Sequence, residues 1–297
     1  MSESLEMQEK YFGKSVFILS FDIEEWFHLL DIDFLEEAEK WCSYEKRLYS
    51  NCNEALKFLI DNRICASYFV LGWVAERYPD LVREIVNCGY EVGSHSYKHI
   101  LIYNSSKELF REDLRKSIDI IQNITNKKVR SFRAPGFSIK EDTLWAFNVL
   151  AEEGIDIDSS IFPAFRSHGG IKAINIDRPF LINVEGKFIR EFPINMFKKN
   201  FLRLPFSGGG YFRLLPYPLL KFFINRSNYI MTYFHPRDFD SNQPIIKGLP
   251  FIRKSKSYYG LKNAFPKFLT MLKEYEFVDI STAEKFIDWG KVPIFRI

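Results

Sequence analysis

The sequence predicts an α/β fold in which helices cover a mainly parallel sheet. Apolar runs with strand character alternate with amphipathic, helix-like segments along the first half of the chain, and the connections between them are short. One run, residues 16–21, is apolar on both faces, which is typical of a strand inside a parallel sheet. A chain of 297 residues is long enough to bury an ample core, in one large domain or two small ones.

The individual elements follow from hydrophobic periodicity and from the residues that flank each segment. Strands in the first half are predicted at residues 16–21, 65–71, 90–93, 129–132 and 155–160. Helices in the first half are predicted at residues 52–60, 73–87, 105–123 and 141–153. The second half is less regular, with strands expected at 188–194, 229–234 and 277–280 and helices at 258–275 and 282–289.

The composition excludes several classes of protein. With 46% hydrophobic and 27% charged residues the chain resembles an ordinary globular protein, and its net charge of +3 comes from interspersed acids and bases. We therefore expect no nucleic-acid or anionic-membrane partner. The polar N-terminus and the lack of a long apolar segment predict a cytoplasmic protein without a membrane span. The four cysteines form no CxxC pair, so we expect buried thiols and no cysteine zinc site.

Two pairs of ionisable residues directly follow predicted strands. Asp22 and Glu24 come after the first strand, at the end of a parallel strand where ligands bind. A helix cap with first-turn acids would explain this stretch equally well. His95 and His99 are four residues apart, a spacing that brings both imidazoles within reach of one metal ion, although surface histidines also fall at this spacing by chance.

Two further residues occupy the same kind of position. Arg133 follows a strand and precedes Pro135, which fixes the exit of the chain and would let the guanidinium fork onto Asp22, unless Arg133 forms an ordinary surface ion pair. His235 follows another strand, where we favour an acid/base role over a structural one. Because parallel strands end at one edge, we expect all six side chains at a single mouth of the sheet. A glycine run at 206–211 lacks the spacing and the lysine of a nucleotide-binding loop, so we expect a sharp turn or a close approach to a ligand there.

These motifs, in this order, resemble those of the NodB-type polysaccharide deacetylases. The resemblance covers about residues 15 to 290, and its shared stretches are Asp22-Ile23-Glu24, His95-Ser96-Tyr97-Lys98-His99, Arg133-Ala134-Pro135-Gly136-Phe137, Asp158-Ser159-Ser160 and Phe234-His235. The chain is most similar to a subgroup associated with exopolysaccharide biosynthesis, in which stretches like residues 22–28, 207–213 and 235–240 recur.

The resemblance implies a fold and a set of roles. The fold would be a distorted (β/α) barrel of about seven strands, formed by one domain over residues 1–297, in which residues 15–165 carry the motifs and residues 166–297 complete the barrel. Asp22 would be the general base, Arg133 the residue that tethers it, and His235 the general acid. Glu24, His95 and His99 would bind a divalent metal, zinc first, with cobalt, nickel or manganese as alternatives.

The chain also departs from the family pattern. Many members have adjacent aspartates where this chain has Asp22 and Glu24, but alternation along a strand would keep both carboxylates on one face. His28 is an extra histidine that would contact the sugar, replace a metal ligand or simply pack. Residues expected to bind substrate are Trp26, His28, Pro135, Phe137, Gly209 and Tyr211.

The implied activity is removal of an N-acetyl group from an amino sugar or glycan precursor in surface polysaccharide biosynthesis, so the expected partner is an acetylated sugar. A formyl group is an alternative leaving group. Two rival hypotheses stay open, a metal-independent amidohydrolase similar to the allantoinase relatives of this fold and a catalytically silent carbohydrate-binding protein with an aromatic groove.

Overall fold

The structure is a computed structural model that describes residues 15–30, 32, 38–164, 169–171, 174–199, 202–246 and 248–297. Its strands are β1 Val16–Ile18, β2 Ser20–Ile23, β3 Ser67–Val70, β4 Glu91–Ser94, β5 Ser131–Phe132, β6 Ile157–Asp158, β7 Phe180–Val184, β8 Lys187–Glu191, β9 Phe197–Lys199, β10 Leu202–Leu204, β11 Tyr229–Met231 and β12 Ile294–Arg296. Its α-helices are α1 Leu48–Asp61, α2 Gly72–Arg77, α3 Pro79–Asn87, α4 Lys107–Thr125, α5 Trp145–Glu152, α6 Gly209–Leu214, α7 Tyr217–Ile224, α8 Phe251–Tyr258, α9 Leu261–Glu274 and α10 Ile280–Phe286.

One large sheet organises the fold. Its strand order is β12-β7-β8-β6-β5-β4-β3-β2, and every neighbouring pair is parallel except the β7–β8 hairpin. At the other side β1, which is separated from β2 only by Leu19, pairs in parallel with β11, and Phe21 makes a further bridge to Phe234. The strands thus curve round in the manner of a distorted (β/α) barrel, as predicted. Within the described residues the hydrogen-bonded ladder does not close.

The core is built largely from phenylalanine rings. Phe21 and Phe234 lie 6.1 Å apart between centroids, and both pack against Phe268 of α9. This contact joins the first strand to a helix near the end of the chain, so the two halves share one core. The prediction of buried thiols is wrong for Cys42, Cys65 and Cys88, which are exposed, and correct only for Cys52.

Several predicted elements have different bounds in the structure. The helix expected at 73–87 is two helices, because Pro79 lacks an N–H and restricts Tyr78 to a non-helical conformation. The helix expected at 258–275 begins only at Leu261. Gly260, whose φ of 76° is not helical, separates it from α8. The strand expected at 277–280 is wrong, since only Val278 makes a bridge, to Ile18. None of the helices in the described ranges is long and apolar enough to cross a bilayer.

The glycine run contains the start of helix α6, which begins at Gly209. Gly208 bridges to Tyr233, and a Cβ at Gly208 would lie 2.2 Å from the carbonyl oxygen of Tyr233. A glycine is therefore required because two backbone segments touch. The close approach expected there is to the neighbouring chain segment.

Candidate metal centre and active site

The six ionisable residues singled out from the sequence meet at one edge of the sheet. Asp22 lies on β2 with Glu24 just after it, and the two histidines His95 and His99 follow β4. Arg133 follows β5, and His235 follows β11 after Tyr233 and Phe234. Since these strands are parallel, their carboxyl ends converge, and contacts of 2.7–3.7 Å link the side chains.

Three of these side chains form a compact group of metal-ligating atoms. The ligand atoms of Glu24, His95 and His99 all lie within 4.8 Å of one another, and all three residues are buried. Oε2 of Glu24 is 2.7 Å from Nε2 of His99. Two imidazole nitrogens and one carboxylate oxygen make a donor set that suits zinc and neighbouring transition metals, with positions left for water or substrate.

The backbone sets the protonation of His95. Its Nδ1 lies 2.7 Å from the carbonyl oxygen of Arg133, and because a carbonyl only accepts, Nδ1 carries the proton. The lone pair of Nε2 is then free to bind a metal. Burial lowers the pKa of His95 to about 4, so the ring is neutral at physiological pH, as a ligand must be.

His99 is held by a strained turn. Ser96 and His99 both have positive φ, of 68° and 59°, a conformation that costs energy for residues other than glycine. The turn is fixed by hydrogen bonds, since the His99 amide donates to Ser96 Oγ and the amides of Tyr97 and Lys98 donate to the Asp113 carboxylate. The turn places the His99 ring beside that of His95, with 5.2 Å between the ring centroids.

The residues of the triad fit a divalent cation. Oε2 of Glu24 is buried and makes no hydrogen bond of acceptable geometry within the described structure, although it faces His99. Burial alone would raise the pKa of the Glu24 carboxyl, but the neighbouring His99, His235 and His95 hold it well below its usual range. A buried carboxylate with an unsatisfied oxygen beside two imidazole rings is the arrangement that a cation would complete.

Asp22 is paired with the fully buried Arg133, as predicted, but the expected fork is wrong because only one guanidinium nitrogen contacts the carboxylate. Nη1 of Arg133 donates to Asp22 Oδ1 at 2.7 Å and to Ser20 Oγ at 2.9 Å. Nη2 donates to Ser159 Oγ at 2.9 Å, and the guanidinium lies over the Phe69 ring, 4.2 Å from its centroid. The alternative of an ordinary surface ion pair is wrong. The other oxygen, Oδ2 of Asp22, points towards His235, 3.7 Å from its Nε2.

His235 is oriented by a residue that the sequence interpretation missed. Its Nδ1 lies 3.0 Å from Asp238 Oδ2, and Asp238 Oδ1 is 3.0 Å from Nε of Arg213, in the last turn of α6. Burial disfavours the imidazolium, but the hydrogen bond to Asp238 and the charges of Asp238, Glu24 and Asp22 outweigh it and raise the pKa of His235 to about 9. The signal in the sequence was an aspartate three residues after a strand-end histidine, which here closes a capping turn.

The residues expected to bind substrate are mostly packed. Trp26 donates its Nε1 proton to the carbonyl of Glu45 and stacks edge-on against Phe27. Phe137 lies between the rings of Phe162 and Tyr233. Pro135 and Gly209 are buried and Tyr211 is half-buried.

His28 lies in an aromatic cage beside the triad. Its ring is 4.4 Å from Trp41 and 6.0 Å from His99, between centroids. Nδ1 accepts the amide proton of Glu25, so Nε2 carries the ring proton, and this buried N–H has no partner within the described part of the chain. His28 is not one of the three clustered residues, and among the described residues nothing accepts its Nε2 proton.

The fold and this site define an α/β protein with a candidate metal centre, and comparisons with known proteins show which families the two halves of the chain match. Residues 41–154 match the family model described as polysaccharide deacetylase. Residues 159–285 match a second model, described as a domain of unknown function, DUF3473. The match over residues 41–154 agrees with the resemblance to polysaccharide deacetylases predicted from the motifs, and this part of the chain includes His95, His99 and Arg133.

Individual relatives are similar over part of their length. A peptidoglycan-N-acetylglucosamine deacetylase from Bacillus cereus is 29% identical over 89 residues, which are 30% of this chain and 32% of the relative. A chitooligosaccharide deacetylase from Sinorhizobium fredii is 31% identical over 123 residues, which are 41% of this chain and 56% of the relative. The chain therefore spans about a third to just over a half of these two proteins.

A solved structure extends the similarity of fold to nearly the whole chain. The crystal structure of a candidate polysaccharide deacetylase from Mycobacterium smegmatis aligns with a TM-score of 0.65 and 17% identity, covering 94% of this chain and 92% of the other. At that identity the match concerns the fold. It confirms the distorted-barrel architecture through the irregular second half.

Proposed function

We propose that this protein is a metal-dependent hydrolase that removes the N-acetyl group from an amino sugar or glycan precursor. The observation that carries the proposal is the buried Glu24, His95 and His99 cluster next to an arginine-tethered aspartate and a half-exposed histidine. The named activities of the Bacillus and Sinorhizobium relatives, both sugar deacetylases, support the same reaction class. The sequence resemblance further suggests a role in surface polysaccharide biosynthesis.

The triad would hold the cation, with zinc as the first candidate. A divalent metal there would polarise the acyl carbonyl and make a water molecule more acidic. The residues around it divide the remaining work. Asp22, held in place by Arg133, takes a proton from the attacking water. His235, with Nδ1 bound to Asp238, presents Nε2 to the same space and donates a proton to the departing amine nitrogen.

The developing negative charge on the acyl oxygen needs a donor. The amides of Arg133 and Ala134 are already bonded, to the Ser94 carbonyl and to Ser160 Oγ. A backbone donor in this segment would therefore come from Gly136, whose φ of 60° sets the turn that follows. The Nε2–H of His28, which has no acceptor among the residues that the structure describes, supports the proposal that His28 contacts the substrate.

The rival hypotheses predict different behaviour. A metal-independent amidohydrolase would have no use for the buried Glu24 carboxylate, whose Oε2 has no hydrogen-bond partner within the described part of the chain. The deciding experiment is metal analysis of the purified protein followed by an acetate-release screen over acetamido-sugar monosaccharides, nucleotide-linked donors and oligosaccharides. We expect acetate release that a chelator abolishes and zinc restores. Full activity in chelator would favour the metal-independent enzyme, and tight glycan binding without acetate or formate release at any metal loading would favour the silent binding protein.

A further inference from the structure

A second pair of buried acids lies behind the active site, on strands that the proposed chemistry does not use. Asp158 ends β6 and Glu191 ends β8, and the two residues are direct neighbours in the parallel register of these strands. Both side chains are completely buried. Because side chains at paired positions of neighbouring parallel strands point to the same face, the two carboxyl groups lie side by side, and both accept hydrogen bonds from the turn that follows β6.

The charges in this part of the interior do not balance if every acid is ionised. The titratable groups that face Glu191 are Asp158, Arg133 and Tyr229. The Tyr229 hydroxyl donates to the Pro193 carbonyl and is therefore neutral, and the Arg133 guanidinium is already bonded to Asp22. Arg133, already paired with Asp22, would have to compensate two further carboxylates away from water, a cost that proteins avoid by keeping a proton on one of them.

The hydrogen bonds indicate which acid keeps the proton. Asp158 accepts two hydrogen bonds, from the Ser160 hydroxyl at 2.7 Å and from the Ser160 amide at 2.9 Å. Glu191 accepts only one, from the Ile161 amide at 3.0 Å, and its Oε2 accepts none within the described residues. Hydrogen bonds to a carboxylate favour its ionised form, so Asp158 is the anion and Oε2 of Glu191 is the oxygen that carries hydrogen.

We propose that Glu191 and Asp158 share one proton at neutral pH and together act as positioning residues for Arg133. The pair holds the turn at Ser159 and Ser160, which in turn binds the arginine and its neighbour. Ser159 accepts from Nε and Nη2 of Arg133, and Ser160 Oγ accepts the Ala134 amide proton. Burial and the neighbouring Asp158 charge raise the pKa of Glu191 well above its ordinary value, which agrees with this arrangement. Because Arg133 holds Asp22, the pair would also help to position the proposed base, and this consequence rests on the proposed function. The shared proton itself does not depend on that function.

The test is infrared spectroscopy of the wild-type protein, Glu191→Gln and the matched control Glu185→Gln, an exposed acid on the same hairpin. At pH 7 we expect a carboxylic-acid carbonyl band that is lost in Glu191→Gln and kept in Glu185→Gln. No difference between wild type and Glu191→Gln would overturn the proposal. Failure of Glu191→Gln to fold would also overturn it, because a glutamine amide donates the same hydrogen to Asp158.

A pH titration of thermal stability adds a second readout. A group with a raised pKa in the folded state contributes stability below its unfolded pKa, and that contribution is lost as pH rises through the folded pKa. Relative to Glu191→Gln, the wild-type protein should therefore lose Tm as pH increases from mildly acidic to alkaline values. Parallel pH curves for the two proteins would contradict the shared proton even if acetate release were normal in both, so this outcome is distinct from failure of the deacetylase proposal.

Discussion

The two halves of the chain contribute to the site in different ways. The described part of residues 15–164 alternates strands and helices regularly and delivers the candidate metal-binding triad, Asp22 and Arg133 from the ends of β2, β4 and β5. Residues 169–297 contain an antiparallel hairpin and an irregular run of short helices, and they deliver His235 with its partners Asp238 and Arg213. The regular half therefore holds the proposed cation and base, and the irregular half supplies the proposed acid and its support.

Replacing the base should give the largest effect on the regular half. Asp22→Asn removes the proton acceptor but keeps a side chain that fits beside Arg133 and leaves the triad intact. We expect a fall in kcat for acetate release of about 10²–10⁴-fold, the range that general base catalysis contributes. Metal content measured on the same sample should equal that of the wild type, and a variant with full activity would remove Asp22 as the base.

The packing beneath the arginine predicts a stability effect of comparable size. Phe69 on β3 is fully buried, and its ring supports the Arg133 guanidinium. Phe69→Ala should lower the free energy of unfolding by about 3–5 kcal/mol, measured by denaturant titration, because a large cavity is left in a rigid part of the sheet. Phe251→Ala, at an exposed position of the second half, is the control and should leave stability nearly unchanged. Equal losses for the two variants would mean that the sheet is not the rigid part of this site.

Loss of Asp238, which orients the proposed acid His235, should lower kcat less than loss of the proposed base Asp22. Asp238→Asn removes the charge that holds His235 Nδ1, and we expect kcat to fall by about 10–100-fold with little change in KM, the scale seen when a supporting carboxylate is lost. Asp80→Asn, which breaks a surface ion pair with Arg83, is the control and should retain full activity. If Asp238→Asn were as active as that control, the orientation of His235 would not matter for the reaction.

Removal of a helix cap in either half should give the smallest change in stability of the variants considered. Ser106 caps α4 by accepting the Leu109 amide, and Asp279 caps α10 by accepting the Thr282 amide. Each alanine replacement should cost about 1 kcal/mol of stability. Neither variant should change acetate release, and a large loss of activity in either one would indicate that its helix positions the site directly.

The part of the site that follows strand ends could be predicted, and the part that depends on long-range packing could not. Asp22, His95, Arg133 and His235 were identifiable because each follows an apolar run, and parallel strands must end together. Asp238 was missed because an aspartate three residues after a histidine is also common in turns. Glu191 was missed because it follows no motif and matters only through its register with Asp158.

The same distinction applies to the fold. The regular alternation in the first half predicted the sheet and most of its helices. In the second half the strand β7 and the helix α7 escaped notice, because short apolar segments around prolines do not show which period applies. One predicted helix is divided at Tyr78, and another begins only after Gly260. Both cases show that local backbone restrictions override a continuous hydrophobic period.

Metal content of purified protein is the most direct measurement of the proposed centre. Wild type, His99→Ala and Asp22→Asn would be stripped with chelator, incubated with zinc, dialysed and analysed by mass spectrometry. We expect about one tightly bound zinc per chain in wild type and Asp22→Asn, as for a site with three protein ligands, and loss of zinc in His99→Ala. Wild type that retains no divalent metal, or His99→Ala that retains as much as wild type, would contradict a cation held by Glu24, His95 and His99.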